Sequence, residues 1–412
     1  MRYSANIPRY IALISLHSCP LGNLGARDTG GMSVYIREVA LQFASKGFHV
    51  DIFTRGHNSH SCDVTLLAEG VRLVHIKAGE TQEVVDKIAL HSHINTFNQG
   101  VYRFAKENNS EYSYIFSHYW LSGVSGQLLS DRWKIPHIVM FHTLGEVKNQ
   151  IGQGLVEPDL RLQEEYRIIQ VCDRIIASTD REKDYLCHLY SASADKIRVV
   201  PCGVNLEMFK PIFRPSPVPG LRDGSTRIIL YVGRIDPLKG TSLLVEALSL
   251  IKADDGWICL IVGGDGSNDG VNQLQQQAIQ EGIADKLIFT GPVPQEELSA
   301  YYSTSSVLVV PSYYESFGLV AIEALACGCP VIAGDVGDLK NIIKPGLSGD
   351  ILKKLNTEEL ARTFRDWIKR SPRTAVEVSI IRETVAGFSW VNVSQELINE
   401  FEALAFNTAG AV

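Results

Sequence analysis

The feature that most constrains the fold is an alternation, run twice along the chain, of short apolar segments with amphipathic stretches at helical spacing. In the first half, residues 10–16, 49–54, 71–76, 114–117, 138–141, 174–178 and 197–200 read as buried strands, with helices over 32–46 and 88–107 between them. Strands joined by helical crossovers build a parallel sheet covered on both faces. The pattern then breaks. Residues 210–225 (KPIFRPSPVPGLRDGS) are rich in proline, hold glycine and lack an apolar period, and so read as a linker. Beyond them the alternation resumes at 228–232, 258–262, 287–290, 307–310 and 331–333, and residues 391–405 are amphipathic at helical spacing.

The chain therefore reads as α/β, with two Rossmann-like, doubly wound parallel-sheet domains facing across a cleft. The expected divisions are 1–210 and 226–388 for the domains, 211–225 for the linker, and 389–412 for a helix packing back on the first domain. The length of 412 residues agrees, since one hydrophobic core seldom grows beyond ~250–300 residues. Lys and Arg number 39 against 46 Asp and Glu, a net charge of -7, which argues against a nucleic-acid partner. No stretch approaches the ~20 apolar residues of a membrane span, and the N-terminus lacks a signal-peptide pattern. The expectation is a cytoplasmic protein without an integral membrane segment; a homodimer is left open. No C-x-x-C pair occurs among the eight cysteines, so they read as reduced thiols rather than zinc ligands.

Three segments carry chemistry. Gly30-Gly31 lies between the first strand and the 32–46 helix, where a glycine pair either makes a tight turn or lets an anion approach the helix N-terminus. Gly233–Gly240 (GRIDPLKG) follows the first strand of the second domain. Its Arg234 and Lys239 either clamp a diphosphate or form a solvated basic loop. Glu315 and Glu323 (ESFGLVAIE) flank the start of a helix read to begin near Phe317, placed to accept hydrogen bonds from the hydroxyls of two neighbouring sugar rings. The run 319–326 is nearly all apolar, so Glu323 should be buried, where a carboxylate without a partner is costly. Within the first domain, His17, Tyr119, Trp120, His142 and Thr143 stand at strand ends. Lys87 and Arg161, taken alone, read as solvated charges.

The glycine pair, the GRIDPLKG loop and the E-x7-E run with its ALACGCPVIA tail, in this order, resemble the GT-B retaining glycosyltransferases of family 4. Within that family the chain is most similar to the inositol-phosphate N-acetylglucosaminyltransferases of mycothiol synthesis, and more distantly to sucrose-phosphate synthases. The resemblance implies a donor site for a nucleotide sugar, UDP-linked by family habit with GDP-mannose the alternative. Gly30 and Gly31 would meet the donor diphosphate opposite Arg234 and Lys239. Glu315 would hold the hexose and Glu323 the ribose. Phe317, Gly318 and Leu319 would present a helix N-terminus, and Val293 would meet the base through its backbone.

The acceptor side follows the same resemblance. Lys87, Tyr119, Thr143 and Arg161 align with residues that grip the acceptor phosphate, Lys77 being the alternative to Lys87. His17 joins them, and His142 lines the reaction centre with its main-chain carbonyl near the nucleophile. Ser33 replaces an Asn that contacts the inositol ring in those relatives. A hydroxyl offers fewer hydrogen-bonding groups than an amide, so ring recognition should differ. The implied reaction is hexosyl transfer from a nucleotide sugar to a small phosphorylated acceptor, inositol phosphate or a sugar phosphate. It would proceed with retention by a front-face route assisted by His142, Arg234, Lys239 and Glu315, with no cofactor and no essential divalent metal. An unphosphorylated or lipid-linked acceptor is the alternative. A catalytically silent nucleotide-sugar-binding protein is the alternative of another class.

Overall fold

A computed structural model describes residues 9–22, 30–56, 63–79, 86–153, 156–213, 217–218, 226–264 and 269–409. Most of the expected linker and Cys62 lie outside the described residues. The first sheet has eight strands: β1 (Arg9–Ile14), β2 (Phe48–Arg55), β3 (Val64–Ala68), β4 (Val71–Ile76), β5 (Tyr112–His118), β6 (His137–Met140), β7 (Arg174–Ala177) and β8 (Ile197–Val199). Their order is β3-β4-β2-β1-β5-β6-β7-β8, parallel except for the antiparallel β3–β4 pair. The second sheet has six: β9 (Arg227–Val232), β10 (Trp257–Val262), β11 (Leu287–Gly291), β12 (Val307–Val310), β13 (Val331–Ala333) and β14 (Gly349–Ile351). Their order is β11-β10-β9-β12-β13-β14, parallel throughout.

The strands are apolar on both faces because helices cover both. Ile11, Ala12, Leu13 and Ile14 are all fully buried in β1, in register with Val50, Asp51, Ile52 and Phe53 of β2. In each sheet the first strand lies inside: β1 between β2 and β5, β9 between β10 and β12. The chain winds outward in both directions from these strands, so the loops beyond their carboxyl ends diverge and leave a crevice. The Gly30-Gly31 and GRIDPLKG segments are the loops that follow β1 and β9.

Four details differ from the sequence expectation. Strands β3 and β14 were not anticipated: β3 is a half-exposed edge with Val64 and Leu66 in solvent, and β14 has only three residues. The 88–107 helix is two helices, Lys87–His91 and Ile94–Glu107, parted where the Ser92 hydroxyl bonds the Ala89 carbonyl at 2.7 Å. The helix expected from Phe317 starts at Leu319, because Gly318 caps it in the left-handed region at φ 111°. The last helix, Trp390–Ala409, lies on the first sheet. Its Trp390 ring stands edge-on to Tyr35 at 5.5 Å, and Phe401 lies 5.4 Å from Phe116. The described cysteines are all free thiols, and no helix among the described residues is long and apolar enough to cross a membrane.

Candidate active site

The crevices of the two sheets join in one cleft of about 930 Å³, walled by both halves of the chain. Gly30 precedes the Gly31–Ser45 helix and supplies no side-chain cap, so the first amides of that helix are not taken by a capping side chain. A Cβ on Gly31 would stand 3.0 Å from the Cδ1 of Leu319, the first residue of the facing helix. A larger residue would press on that side chain, because the N-termini of two helices, one from each half, approach each other here.

On the other wall, the Asp236 carboxylate accepts from the Leu238 amide at 3.0 Å and starts the Pro237–Lys239 turn. Gly240 ends that turn at φ 65°, where a Cβ would lie 2.0 Å from the Pro311 carbonyl oxygen. This backbone aims Lys239 at Glu315. The ammonium donates to Glu315 Oε1 at 2.7 Å, and the Ser312 hydroxyl donates to the same oxygen at 2.8 Å. Arg234 pairs with Asp236 at 3.2 Å and keeps 44% of its side chain exposed. Phe317, Gly318, Leu319 and Val293 complete this wall.

Glu323 is buried, as its apolar run requires, and both carboxylate oxygens are engaged. Gln295 Nε2 donates to Oε1 at 3.2 Å and the Tyr302 hydroxyl to Oε2 at 2.8 Å. Burial pushes its pKa up to about 7; Tyr302 and Gln295 oppose the rise, while the carboxyl of Glu38 adds to it. The Cys327 thiol also faces this carboxyl. The ordinary value for the unfolded chain is 4.5, so the folded protein holds the proton more tightly. Stability contributed by that proton is therefore lost as pH rises from the unfolded value through about 7, at a cost of about 3 kcal/mol above it. Glu323→Gln is expected to melt higher than the parent at about pH 8, with the gap closing toward about pH 5, in thermal denaturation followed by circular dichroism.

The opposite end of the cleft gathers residues distant in sequence. The Arg161 guanidinium lies 4.9 Å from the Tyr119 ring centre and the Lys87 ammonium 5.6 Å from it. Arg161 Nη2 donates to the Thr143 hydroxyl at 3.1 Å and to the Thr143 carbonyl at 2.8 Å. The His17 ring packs against Tyr119 at 4.5 Å. Lys87 lines the cleft; Lys77 is exposed and does not. The reading of Arg161 as a solvated charge is corrected: its residue is 1% exposed. Its Nε donates to Glu165 at 2.6 Å and its Nη1 to Glu157 at 2.8 Å. Burial opposes this charge, but Glu165, Tyr119 and Glu157 hold it well above the ordinary range. Lys148 pairs with Glu157 from the other side.

The histidines here are neutral. Burial lowers His142 to about 3, and burial with its neighbours Lys87, Arg161 and His142 takes His17 well below the ordinary value. His142 shares a 2.9 Å hydrogen bond with His118 and stands at φ 61°, a region rare for non-glycine residues. Its ring is thus engaged, and its backbone, rather than a charged imidazole, is what the fold fixes at the cleft. Ser33 is fully buried behind the wall, its hydroxyl 2.7 Å from that of Ser18, and it does not line the cleft.

Comparison with known proteins decides the family. Residues 29–208 match the description "Glycosyltransferase Family 4" and residues 216–379 match "Glycosyl transferases group 1". The D-inositol 3-phosphate glycosyltransferase of Mycobacteroides abscessus is 38% identical, covering 96% of this chain and 89% of its own. The chain is a family 4 glycosyltransferase. The enzyme of the same description from Saccharomonospora viridis is 37% identical, covering 97% of this chain and 95% of its own. Among solved structures, the glycosyltransferase resembles sucrose-phosphate synthase from Thermosynechococcus elongatus at TM-score 0.85 and 30% identity, over 97% of this chain and 100% of that one. Anabaena HepE, solved with UDP and glucose, shares the GT-B fold at TM-score 0.73 and 16% identity, over 95% of this chain and 99% of that one.

Several residues that line or support the transferase's cleft escaped the sequence reading. Glu165 stands four positions beyond Arg161 on the Asp159–Val171 helix, a spacing that brings opposite charges together and was legible, whereas Glu157 reaches Arg161 from the segment before that helix. Gln295 and Tyr302 reach Glu323 from 28 and 21 positions away, and no local pattern marks them.

Proposed function

We propose that this cleft transfers a hexosyl unit, with retention at the anomeric carbon, from a UDP-linked sugar to a small phosphorylated acceptor. The observation that carries this reading is the convergence of Lys87, Thr143 and Arg161 around Tyr119, two cations and a hydroxyl gathered from separate elements. A phosphate monoester matches such a group in charge and in acceptor count. The relatives support it, one being a D-inositol 3-phosphate glycosyltransferase and another a sucrose-phosphate synthase.

In this reading the donor diphosphate lies between the helix beginning at Gly31 and the side chains of Arg234 and Lys239. Its arrival draws Lys239 from Glu315, whose carboxylate then accepts from hexose hydroxyls. Glu323 accepts from the ribose, and Val293 meets the base. The acceptor hydroxyl attacks from the face the diphosphate leaves, and the departing diphosphate takes its proton. The charge that develops on the leaving group is met by Arg234, Lys239 and the Gly31 amide, donors fixed before the reaction starts. Glu315 is held by Lys239 and Ser312, which suits a hydroxyl-binding role better than that of a covalent nucleophile.

One observation favours the alternative of an unphosphorylated acceptor: Glu157 and Glu165 offset much of the charge on Arg161. Lys87 and Lys148 also line the cleft and leave this end with three cations against those two carboxylates. The reading is tested by proton NMR of the first product formed from a UDP-α-sugar in the presence of EDTA. The small anomeric coupling of an α-glycoside, formed at an undiminished rate, is expected. A β-product, or loss of activity in the chelator, contradicts the proposed chemistry.

A further inference from the structure

Gln295 occupies an unusual junction. It is 5% exposed, two residues beyond Val293, and its amide spans the two halves of the molecule. Its Oε1 accepts from Arg37 Nη2 at 2.5 Å, on the helix that begins at Gly31. Its Nε2 donates to Glu323 Oε1 at 3.2 Å. Only one orientation of the amide satisfies both neighbours, because a flipped amide would set nitrogen against guanidinium and oxygen against carboxylate. Glutamate at this position would repel Glu323 and lysine would repel Arg37. An apolar side chain would leave a buried carboxylate short of one donor. Arg37 also lies 3.7 Å from the buried Glu38 of its own helix, an opposite charge beside the donor it presents to the facing half.

We propose that Gln295 is a positioning residue, and that with Arg37 it forms a latch joining the helix N-terminus at the diphosphate to the carboxylate that holds the ribose. The inference rests on the donor reading of Glu323 given above. When the halves are together, Arg37 fixes the Gln295 amide, and the amide fixes both the Glu323 carboxylate and the segment that carries Val293. Diphosphate, ribose and base sites are then set by one side chain. When the halves part, Gln295 loses Arg37 and the nucleotide is released.

The test is calorimetric titration of the full-length protein with UDP, for Arg37→Met, Gln295→Met, the double variant, Arg37→Lys and Glu323→Gln. Each single methionine variant is expected to weaken UDP about tenfold, the loss of one buried hydrogen bond to a charged group. The double variant should be no weaker than the worse single one, since both break the same path. Arg37→Lys should recover part of the affinity. The KM for acceptor should stay within about twofold of the parent in all of these. Multiplying losses in the double variant, or unchanged UDP affinity in the singles, would overturn the latch. Glu323→Gln separates the two ideas. If it retains full UDP affinity, the ribose reading fails and the latch with it. If it weakens UDP while the Arg37 and Gln295 variants do not, the latch alone fails.

Discussion

Lys239→Ala is expected to lower kcat by about 10²–10³ or more while the protein stays folded. The reason is where charge appears. In the free enzyme the Lys239 ammonium is occupied by Glu315 at 2.7 Å, and the pair keeps 23% and 13% of its side-chain surface exposed. The pair is mostly buried, so removing Lys239 leaves Glu315 with the Ser312 hydroxyl as a remaining partner and costs about 1–3 kcal/mol of stability. At the transition state the balance differs: the glycosidic bond breaks, negative charge gathers on the diphosphate, and a donor held in a water-poor cleft acts with far more effect than in solution. Arg234 remains, so nucleotide should still bind, more weakly. The measurement is kcat at saturating donor, beside a melting curve. Turnover within about tenfold of the parent, in a folded variant, would remove Lys239 from the chemistry.

Lys87→Ala is expected to reduce kcat/KM for a phosphorylated acceptor by about 10²-fold, and to leave the same acceptor without its phosphate nearly unaffected. Lys87 is the suitable probe because it begins a short helix, Lys87–His91, capped by the Asp86 side chain rather than by itself. Arg161 is not suitable. It is sealed between Glu157, Glu165 and Thr143, and its removal would strand two carboxylates at a cost of about 3–5 kcal/mol, confusing a folding defect with lost recognition. The comparison of paired acceptors keeps the test independent of stability, since a damaged fold would lower both rates together. Equal losses for both acceptors would show that Lys87 does not read the phosphate.

Much of this was legible in the sequence, for identifiable reasons. Strands such as β9 and β12 are short apolar runs bounded by turn residues, and their limits fall within a residue of the expected ones. Glu323 was legible as a partnered acid because it interrupts an apolar helix, but its partners were not. Tyr302 and Gln295 lie on other elements, and only the packing of the second domain brings them within 3.2 Å. The Arg161 charge was misjudged for a related reason. An arginine flanked by Glu157 and Glu165 looks solvated until the Thr143 carbonyl, from the loop after β6, closes over it. Ser33 shows the converse, a position expected at the acceptor that lies behind the wall against Ser18. Edge strand β3 gave no signal because half of it faces water and needs no apolar period.

The central claim is that one cleft joins a nucleotide-sugar site to a phosphate-reading acceptor site. The most direct measurement is initial rates of glycosyl transfer from UDP- and GDP-sugars to matched acceptors, inositol phosphate beside inositol and fructose 6-phosphate beside fructose. Transfer from a UDP-sugar to at least one phosphorylated acceptor is expected, with kcat/KM about 10²-fold or more above that of its unphosphorylated partner. Activity confined to the unphosphorylated acceptors would contradict the account.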